Sequence, residues 1–295
     1  MRISEKYKQK ETVLSFEIFP PKKESTLSQI DETISILSEQ NPDYISVTFG
    51  AGGSSNNNKT IELARKIKTE YNVDPMVHLT CLCYNKNEID DFYTTLKESG
   101  IENFLALRGD RNPSVPERDD FKHADDLTRY LKSKGDDFCI AGACYPETHP
   151  EAESSVSDIT NLKKKVDAGD EFLVSQLFFD NEHFYSFMEK CDIAGINVPI
   201  SAGIMPVTNK AQIERMVNMC GAYLPEKFVK ILNKYENNRE ALFDAGMAYA
   251  ISQVIDLLAN GVSGIHLYTM NNPIIARRIC DGIKNIVNPL MLLDL

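Results

Sequence analysis

Apolar residues along this chain keep two rhythms that alternate. One is the short run bounded by turn-forming residues: "VLSFEIF" (13–19), "YISVTFG" (44–50), "PMVHLT" (75–80), "NFLALRG" (103–109), "FCIAGACY" (138–145), "FLVSQLFF" (172–179), "PISAGIM" (199–205) and "GIHLYTM" (264–270). These eight runs predict strands. The other rhythm is the three-to-four spacing of "TLSQIDETISILSEQ" (26–40), "NKTIELARKIKTEY" (58–71), "EIDDFYTTLKESG" (88–100) and "DITNLKKKVDAG" (158–169). It predicts amphipathic helices. Gly100, Gly169 and Gly195 close helical stretches where a left-handed residue is often needed. The segment 208–263 is longer than one helix requires and predicts extra helices between strands seven and eight.

Strands alternating with helices predict an α/β protein, a (β/α)8 TIM barrel, and 295 residues suit one such domain. An open doubly wound sheet is the runner-up, weakened because no G-x-G-x-x-G follows the first strand. "FGAGGSS" (49–55) reads as a flexible loop. In a barrel, alternate side chains face the helices or the interior. Strand by strand, that rule assigns to the interior Glu17, then Ser46 and Thr48, His78 and Thr80, Arg108 and Asp110, Tyr145, Gln176, and finally His266 and Tyr268. Most lie at the C-terminal ends of their strands, the face on which this fold builds active sites. Any one of them alone reads better as a satisfied core polar group. The set does not, and charges inside a core need partners or work, which singles out Glu17, Arg108 and Asp110.

A second cluster follows strand five. Asp158, Asn161 and Lys165 fall on one helix face at i, i+3 and i+7, with His149 in the loop before them. Asp can take ribose hydroxyls, and Lys and His can take phosphates, so the cluster suits a nucleotide with a diphosphate. The formal charge of −11 argues against nucleic acid or an anionic membrane as partner. Seven irregularly spaced cysteines, among them Cys81 and Cys83 in a strand-like run, read as reduced core thiols; no metal site is expected. The polar start "MRISEKYKQKET" has no signal-peptide pattern, and no apolar run approaches the roughly 20 residues of a membrane span, so a cytoplasmic location is expected.

The blocks "SFEIFPPK", "SVTFGAGGS", "HLTC", "LALRGD", "YPETHPEA", "NLKKKVDAG", "SQLFFD", "GIMPV" and "HLYTMN" resemble, in order, those of methylenetetrahydrofolate reductase of the bacterial type. The similarity runs from about 13 to 282. The resemblance implies a single catalytic barrel, 1–295, without the regulatory domain of eukaryotic relatives, and a homo-oligomeric state. It implies non-covalent FAD, reduced by NADH or NADPH and reoxidised by 5,10-methylenetetrahydrofolate in a ping-pong cycle that feeds methionine synthesis. Glu17 matches the general acid, and Asp110 lies near flavin and pterin. Thr48, His78, Arg108, Gly109, Asp110, His123, Ala124, Tyr145, His149, Asp158, Asn161, Lys164 and Lys165 match cofactor-contacting positions. Glu17, Asp110, Gln176, Met216, Tyr268 and Asn272 match positions at the folate.

Opening the folate's five-membered ring requires a proton on its N10 leaving nitrogen. Desolvation disfavours the charged form of a carboxyl, which suits a group that must keep a proton to give away. Four positions depart from the usual family residues. Asn272 replaces an arginine expected to help hold folate, Met216 a stacking phenylalanine, His123 a tyrosine over the flavin, and Lys164 an arginine. The alternatives are a barrel enzyme without flavin, a flavin-binding subunit fed by a partner protein, and a non-catalytic scaffold.

Overall fold

The computed structural model describes residues 1–21, 27–49, 56–111, 113 and 115–287. The glycine-rich run 50–55 and Lys22 and Lys23 lie outside the described residues. The elements in order are α1 (Ile3–Gln9), β1 (Val13–Ile18), α2 (Leu27–Ser38), β2 (Tyr44–Val47), α3 (Asn56–Glu70), β3 (Asp74–Thr80), α4 (Lys86–Glu98), β4 (Asn103–Leu107), α5 (Ala124–Ser133), β5 (Cys139–Cys144), α6 (Ser155–Ala168), β6 (Phe172–Ser175) and α7 (Asn181–Ile193). They continue with β7 (Ile200–Ile204), α8 (Lys210–Cys220), α9 (Glu226–Tyr235), α10 (Arg239–Ala259), β8 (Gly264–Tyr268) and α11 (Pro273–Val287). The eight strands are parallel and close on themselves in chain order, β1 pairing with both β2 and β8. The expected barrel and the extra helices between β7 and β8 are both present.

Local chemistry sets the element ends. Asn85 accepts from the Glu88 N–H at 3.0 Å while the Glu88 carboxylate accepts from the Asn85 N–H at 2.8 Å, a reciprocal cap at the start of α4. Gly100 and Gly195 take φ of +67° and +69° just past α4 and α7, as their positions in the sequence predict.

Side-chain alternation divides the apolar residues into two cores. Phe16, Ile18, Ile45, Val47, Val77, Leu79, Phe104 and Ala106 point out and pack under the helices. Val13, Tyr44, Met76, Leu105, Cys139, Ala141, Phe172 and Val174 fill the N-terminal half of the barrel interior. Ile3 and Tyr7 of α1 plug that end, with the Tyr7 hydroxyl 2.7 Å from Ser201 Oγ. The polar look of residues 1–12 hid this helix, because two apolar side chains carry its packing. The C-terminal half of the interior is polar.

Two strand glycines mark close approaches. A Cβ on Gly203 would lie 2.2 Å from the Ser175 carbonyl oxygen and 2.8 Å from the Tyr268 ring, so glycine leaves the room Tyr268 occupies. A Cβ on Gly142 would lie 2.0 Å from Asp170 Oδ2. Asp170 is buried. Its Oδ1 accepts from the Thr128 hydroxyl at 2.8 Å, and its Oδ2 has no hydrogen-bond partner among the described residues.

Three sequence expectations need correction. β4 ends at Leu107, and its inward residues are Leu105 and Leu107, so Arg108 and Asp110 stand in the loop above the barrel rather than inside it. Cys81 and Cys83 follow β3 instead of lying within it. By length and composition Arg239–Ala259 is apolar enough to cross a membrane, which the run-by-run reading missed. In the fold its Leu242, Gly246, Met247, Ala250, Val254 and Leu257 are buried, and it packs on α7, α9, α11 and β7 as a core helix does.

Candidate active site

Glu17 projects into the polar half of the interior from the end of β1, level with Ser46 of β2 and Tyr268 of β8. Its Oε2 lies 3.5 Å from His78 Nε2 and 3.8 Å from His266 Nε2, and its side chain is 19% exposed. Burial pushes His78 down to about 4, so its imidazole is neutral at neutral pH. The 3.5 Å contact is therefore not an ion pair, although its distance would allow one. Ser15, two residues before Glu17 on the same face, holds His266 from behind with Oγ 2.7 Å from Nδ1. The Ser15 hydroxyl also reaches the Ile265 carbonyl at 3.3 Å. If it donates there, Nδ1 carries the imidazole proton and Nε2 presents a lone pair towards Glu17.

The rest of the mouth is built by β5, β6 and β8. The Tyr268 hydroxyl donates to the Ser175 carbonyl at 2.7 Å, which fixes its ring across the top of β6 and β7. Burial raises the Tyr145 hydroxyl, and the neighbouring Gln176 side chain opposes this only in part. Gln176 Oε1 accepts the Leu177 N–H at 2.9 Å. Thr48 follows β2 directly, and its carbonyl accepts from the Thr60 hydroxyl at 3.1 Å.

Beside the mouth, a narrow cleft of about 50 Å³ between β5 and α6 brings together Tyr145, His149, Asp158, Asn161 and Lys165. Asp158 Oδ2 accepts the His149 N–H at 2.9 Å, and Lys165 Nζ donates to the Ala143 carbonyl at 2.7 Å. Burial lowers His149, which keeps its ring a neutral donor and acceptor. Lys164 is exposed and donates to Asn161 Oδ1 at 2.9 Å. Arg108 reaches this loop from β4, gripping Glu151 with two bonds of 2.6 and 3.1 Å. Gly109 turns the chain at φ +88°, where a Cβ would press on Thr80 at 3.0 Å. Asp110 is exposed beyond it, within electrostatic reach of Arg108 and Tyr145. His123 and Ala124 start α5, with the His123 N–H on Asp126 Oδ2 at 3.0 Å.

Residues 2–284 match the family model described as methylenetetrahydrofolate reductase. The chain belongs to the methylenetetrahydrofolate reductase family. It is 37% identical to methylenetetrahydrofolate reductase (NADH) 1 of Arabidopsis thaliana, over 92% of this chain and 49% of the plant protein. It is 35% identical to 5,10-methylenetetrahydrofolate reductase of Pectobacterium carotovorum subsp. carotovorum, over 90% of this chain and 88% of that one. The chain thus spans about half the length of its plant relatives and most of its bacterial ones. In fold it resembles a Clostridium thermocellum protein described as binding two copies of 5-methyl-5,6,7,8-tetrahydrofolic acid, with a TM-score of 0.65 at 13% identity over 98% of this chain and 100% of that one.

Two of the departures from the usual methylenetetrahydrofolate reductase residues have local explanations. Asn272 Oδ1 accepts the Ile274 N–H at 3.2 Å, so it caps α11 just before Pro273, a favoured first helical residue. It also lines an open cavity of about 850 Å³ with Thr208, Gln212 and Arg239, between the β7 and β8 loops and the start of α10. Met216 packs in the apolar cluster of α8, α9 and α10. Sequence reasoning missed Ser15, Glu151, Arg239, Thr269 and Asn271. Ser15 was accessible to it, since it shares the inward alternation of Glu17. Glu151, Thr269 and Asn271 act through loop geometry that carries no periodic signal, and Arg239 stands at the very start of α10, where helical periodicity has not yet begun.

Proposed function

We propose that this chain binds FAD and uses a reduced nicotinamide to convert 5,10-methylenetetrahydrofolate to 5-methyltetrahydrofolate. The observation that carries the reading is Glu17, a carboxyl at the mouth of a family-matched barrel, set between a neutral buried imidazole and a second one held by Ser15. The donor set fits a dinucleotide. Asp158 and Asn161 suit ribose hydroxyls, Lys165 and His149 suit a diphosphate, and the Arg108 fork would join them on releasing Glu151. Gly109 lets backbone approach closely. Bound flavin would supply the relay of hydride between nicotinamide and folate.

The side chains then have two tasks. Glu17 donates its proton to N10 of the folate; the methylene–N10 bond breaks, leaving a 5-iminium cation whose carbon accepts hydride and becomes the methyl group. The electron pair of the broken bond stays on N10 and takes the proton. Glu17 is left as a carboxylate and recovers its proton from solvent. Tyr145, Gln176 and Tyr268 wall the mouth and orient the pterin, while Asp110 lies where charge on the reacting rings is felt. The test is formation of 5-methyltetrahydrofolate by the purified protein from NADH or NADPH and methylenetetrahydrofolate. Turnover only with an added electron-donor protein would favour a partner-fed reductase. Failure of the protein to retain FAD through gel filtration after incubation with any concentration of it would defeat the reading.

Two further results are expected. Lys165→Ala with Asp158→Ala removes a cation and an acceptor from the cleft while leaving the cores intact. It should weaken FAD retention on gel filtration by tenfold or more, at about 1.4 kcal/mol per factor of ten, with the far-UV circular dichroism unchanged. Extraction of FMN in place of FAD would refute the cleft assignment. In the 850 Å³ cavity, Arg239 makes no ion pair among the described residues, while Asp244 faces Arg278 at 3.5 Å. Asn272→Arg should tighten folate binding by supplying a two-bond carboxylate partner. No change, measured by folate titration at low salt, would mean that a cation such as Arg239 already serves the tail.

A further inference from the structure

We infer that the segment Thr269–Asn271 is a clasp that positions Glu17 for proton transfer, and that Asn271 is its main positioning residue. The inference rests on the reading of Glu17 as the acid.

β1 and β8 pair through Glu17↔Tyr268, and strand pairing then stops. Beyond it, the Asn271 side chain takes over the role of a neighbouring strand. Its Oδ1 accepts the Phe19 N–H at 2.9 Å, and its Nδ2 donates to the Phe19 carbonyl at 2.8 Å. Thr269, fully buried, donates its hydroxyl to the Glu17 carbonyl at 2.7 Å. Two side chains from one loop thus hold three backbone groups on and beside Glu17.

The local sequence explains why a clasp is needed. Pro20 and Pro21 follow Phe19 and have no N–H to continue a ladder. Without Asn271, the peptide groups after Glu17 would lose their partners at the point where the acid must be held. The loop accepts strain to reach them. Met270 and Asn271 both take the left-handed conformation, φ +53° and +55°, which methionine disfavours and asparagine tolerates better. Asn272 anchors the far end by capping α11. Strain kept in a non-glycine pair is a reason to look for function, and here the strained pair ends on the Phe19 backbone, two residues past the acid, while the neighbouring Thr269 holds the Glu17 carbonyl itself.

Proton transfer depends steeply on geometry, and a misplacement of about 1 Å can cost roughly 10²-fold. The experiment uses the FAD-loaded protein and two activities: NADH oxidation with a quinone acceptor, and NADH-driven methylenetetrahydrofolate reduction. Asn271→Gly keeps the left-handed backbone and deletes both bonds. It should lower folate kcat at least tenfold, with little change in KM and with quinone activity retained. In a Glu17→Gln background the same change should add almost nothing, because residues acting through one group are non-additive. Thr269→Ser should retain folate turnover and Thr269→Val should lose it, which covers the case in which Asn271→Gly does not fold. Equal losses in both activities would make the segment merely structural and overturn the clasp. A full additional loss in the Glu17→Gln background would also overturn it. If Glu17→Gln alone leaves folate kcat intact, Glu17 is not the acid; the reading of the site then fails first, and the clasp has nothing to position.

Discussion

Glu17→Gln is expected to lower methylenetetrahydrofolate reduction by roughly 10²–10⁴-fold, the range for a lost general acid, and to spare NADH oxidation with a quinone acceptor. The amide keeps the size of the side chain and its hydrogen-bonding oxygen, so His78 and His266 keep a neighbour and the mouth keeps its shape. What disappears is the proton for N10. Oxidation of the nicotinamide needs no proton delivered to a leaving nitrogen, so the two activities should separate. The surroundings of Glu17 support this. His78 is neutral at neutral pH because burial brings it to about 4, so it offers the carboxyl no positive charge there. His266, 1% exposed and held by Ser15, is closed to solvent. Steady-state rates with each acceptor decide the matter. Parallel loss of both activities would point to a damaged cofactor site, and full folate turnover would remove Glu17 from the mechanism.

Asp170 should dominate a pH effect on stability that has nothing to do with catalysis. Burial raises its carboxyl from 3.8 to about 7, with the Thr128 hydroxyl opposing only in part. A group whose folded pKa lies above its unfolded one favours folding while it is protonated. Its contribution is complete below about pH 4, declines as pH rises, and is gone above about pH 7. At about 1.4 kcal/mol per pH unit the full span is on the order of 4 kcal/mol. Asp170→Asn keeps an acceptor for Thr128 and cannot ionise. Between pH 5 and 8 it should lose roughly 3 kcal/mol less stability than the native protein, by the same linkage. Urea unfolding at the two pH values measures this difference directly, and other titrating groups cancel in the comparison. Parallel pH dependences would mean that Asp170 is ionised and solvated in the folded state.

The barrel was legible because each strand is a short apolar run, each helix carries a three-to-four pattern, and both rhythms are local. Glu17, His78 and His266 were legible for the same reason: period-two alternation from buried neighbours such as Phe16 and Leu79 fixes where they point. Arg108 was misplaced because the inward parity of β4 belongs to Leu105 and Leu107, which puts 108 on the opposite parity, and because the strand ends at Leu107. The cleft was half legible. Helical spacing placed Asp158, Asn161 and Lys165 on one face, but the same spacing could not show that Lys164 turns to Asn161, or that Glu151 waits in the loop for Arg108. α1 escaped notice because its stabilisation comes from one plugged end of a barrel, a tertiary fact. The clasp escaped because its bonds run from side chain to backbone across 252 residues of chain.

The contact between Gly142 and Asp170 gives change at these two positions a required order. A methyl group added at residue 142 first would meet Oδ2 at 2.0 Å, with Leu173 Cδ2 at 3.0 Å behind it, and would have to drive a buried carboxyl out of its seat. Shortening residue 170 first, to serine or alanine, empties that space, after which alanine at 142 meets only the flexible end of a leucine. The two substitutions should therefore show strong epistasis: Gly142→Ala harmful in the native background and near neutral once Asp170 has been shortened. A lineage passing between the two states has one passable route, and it runs through position 170.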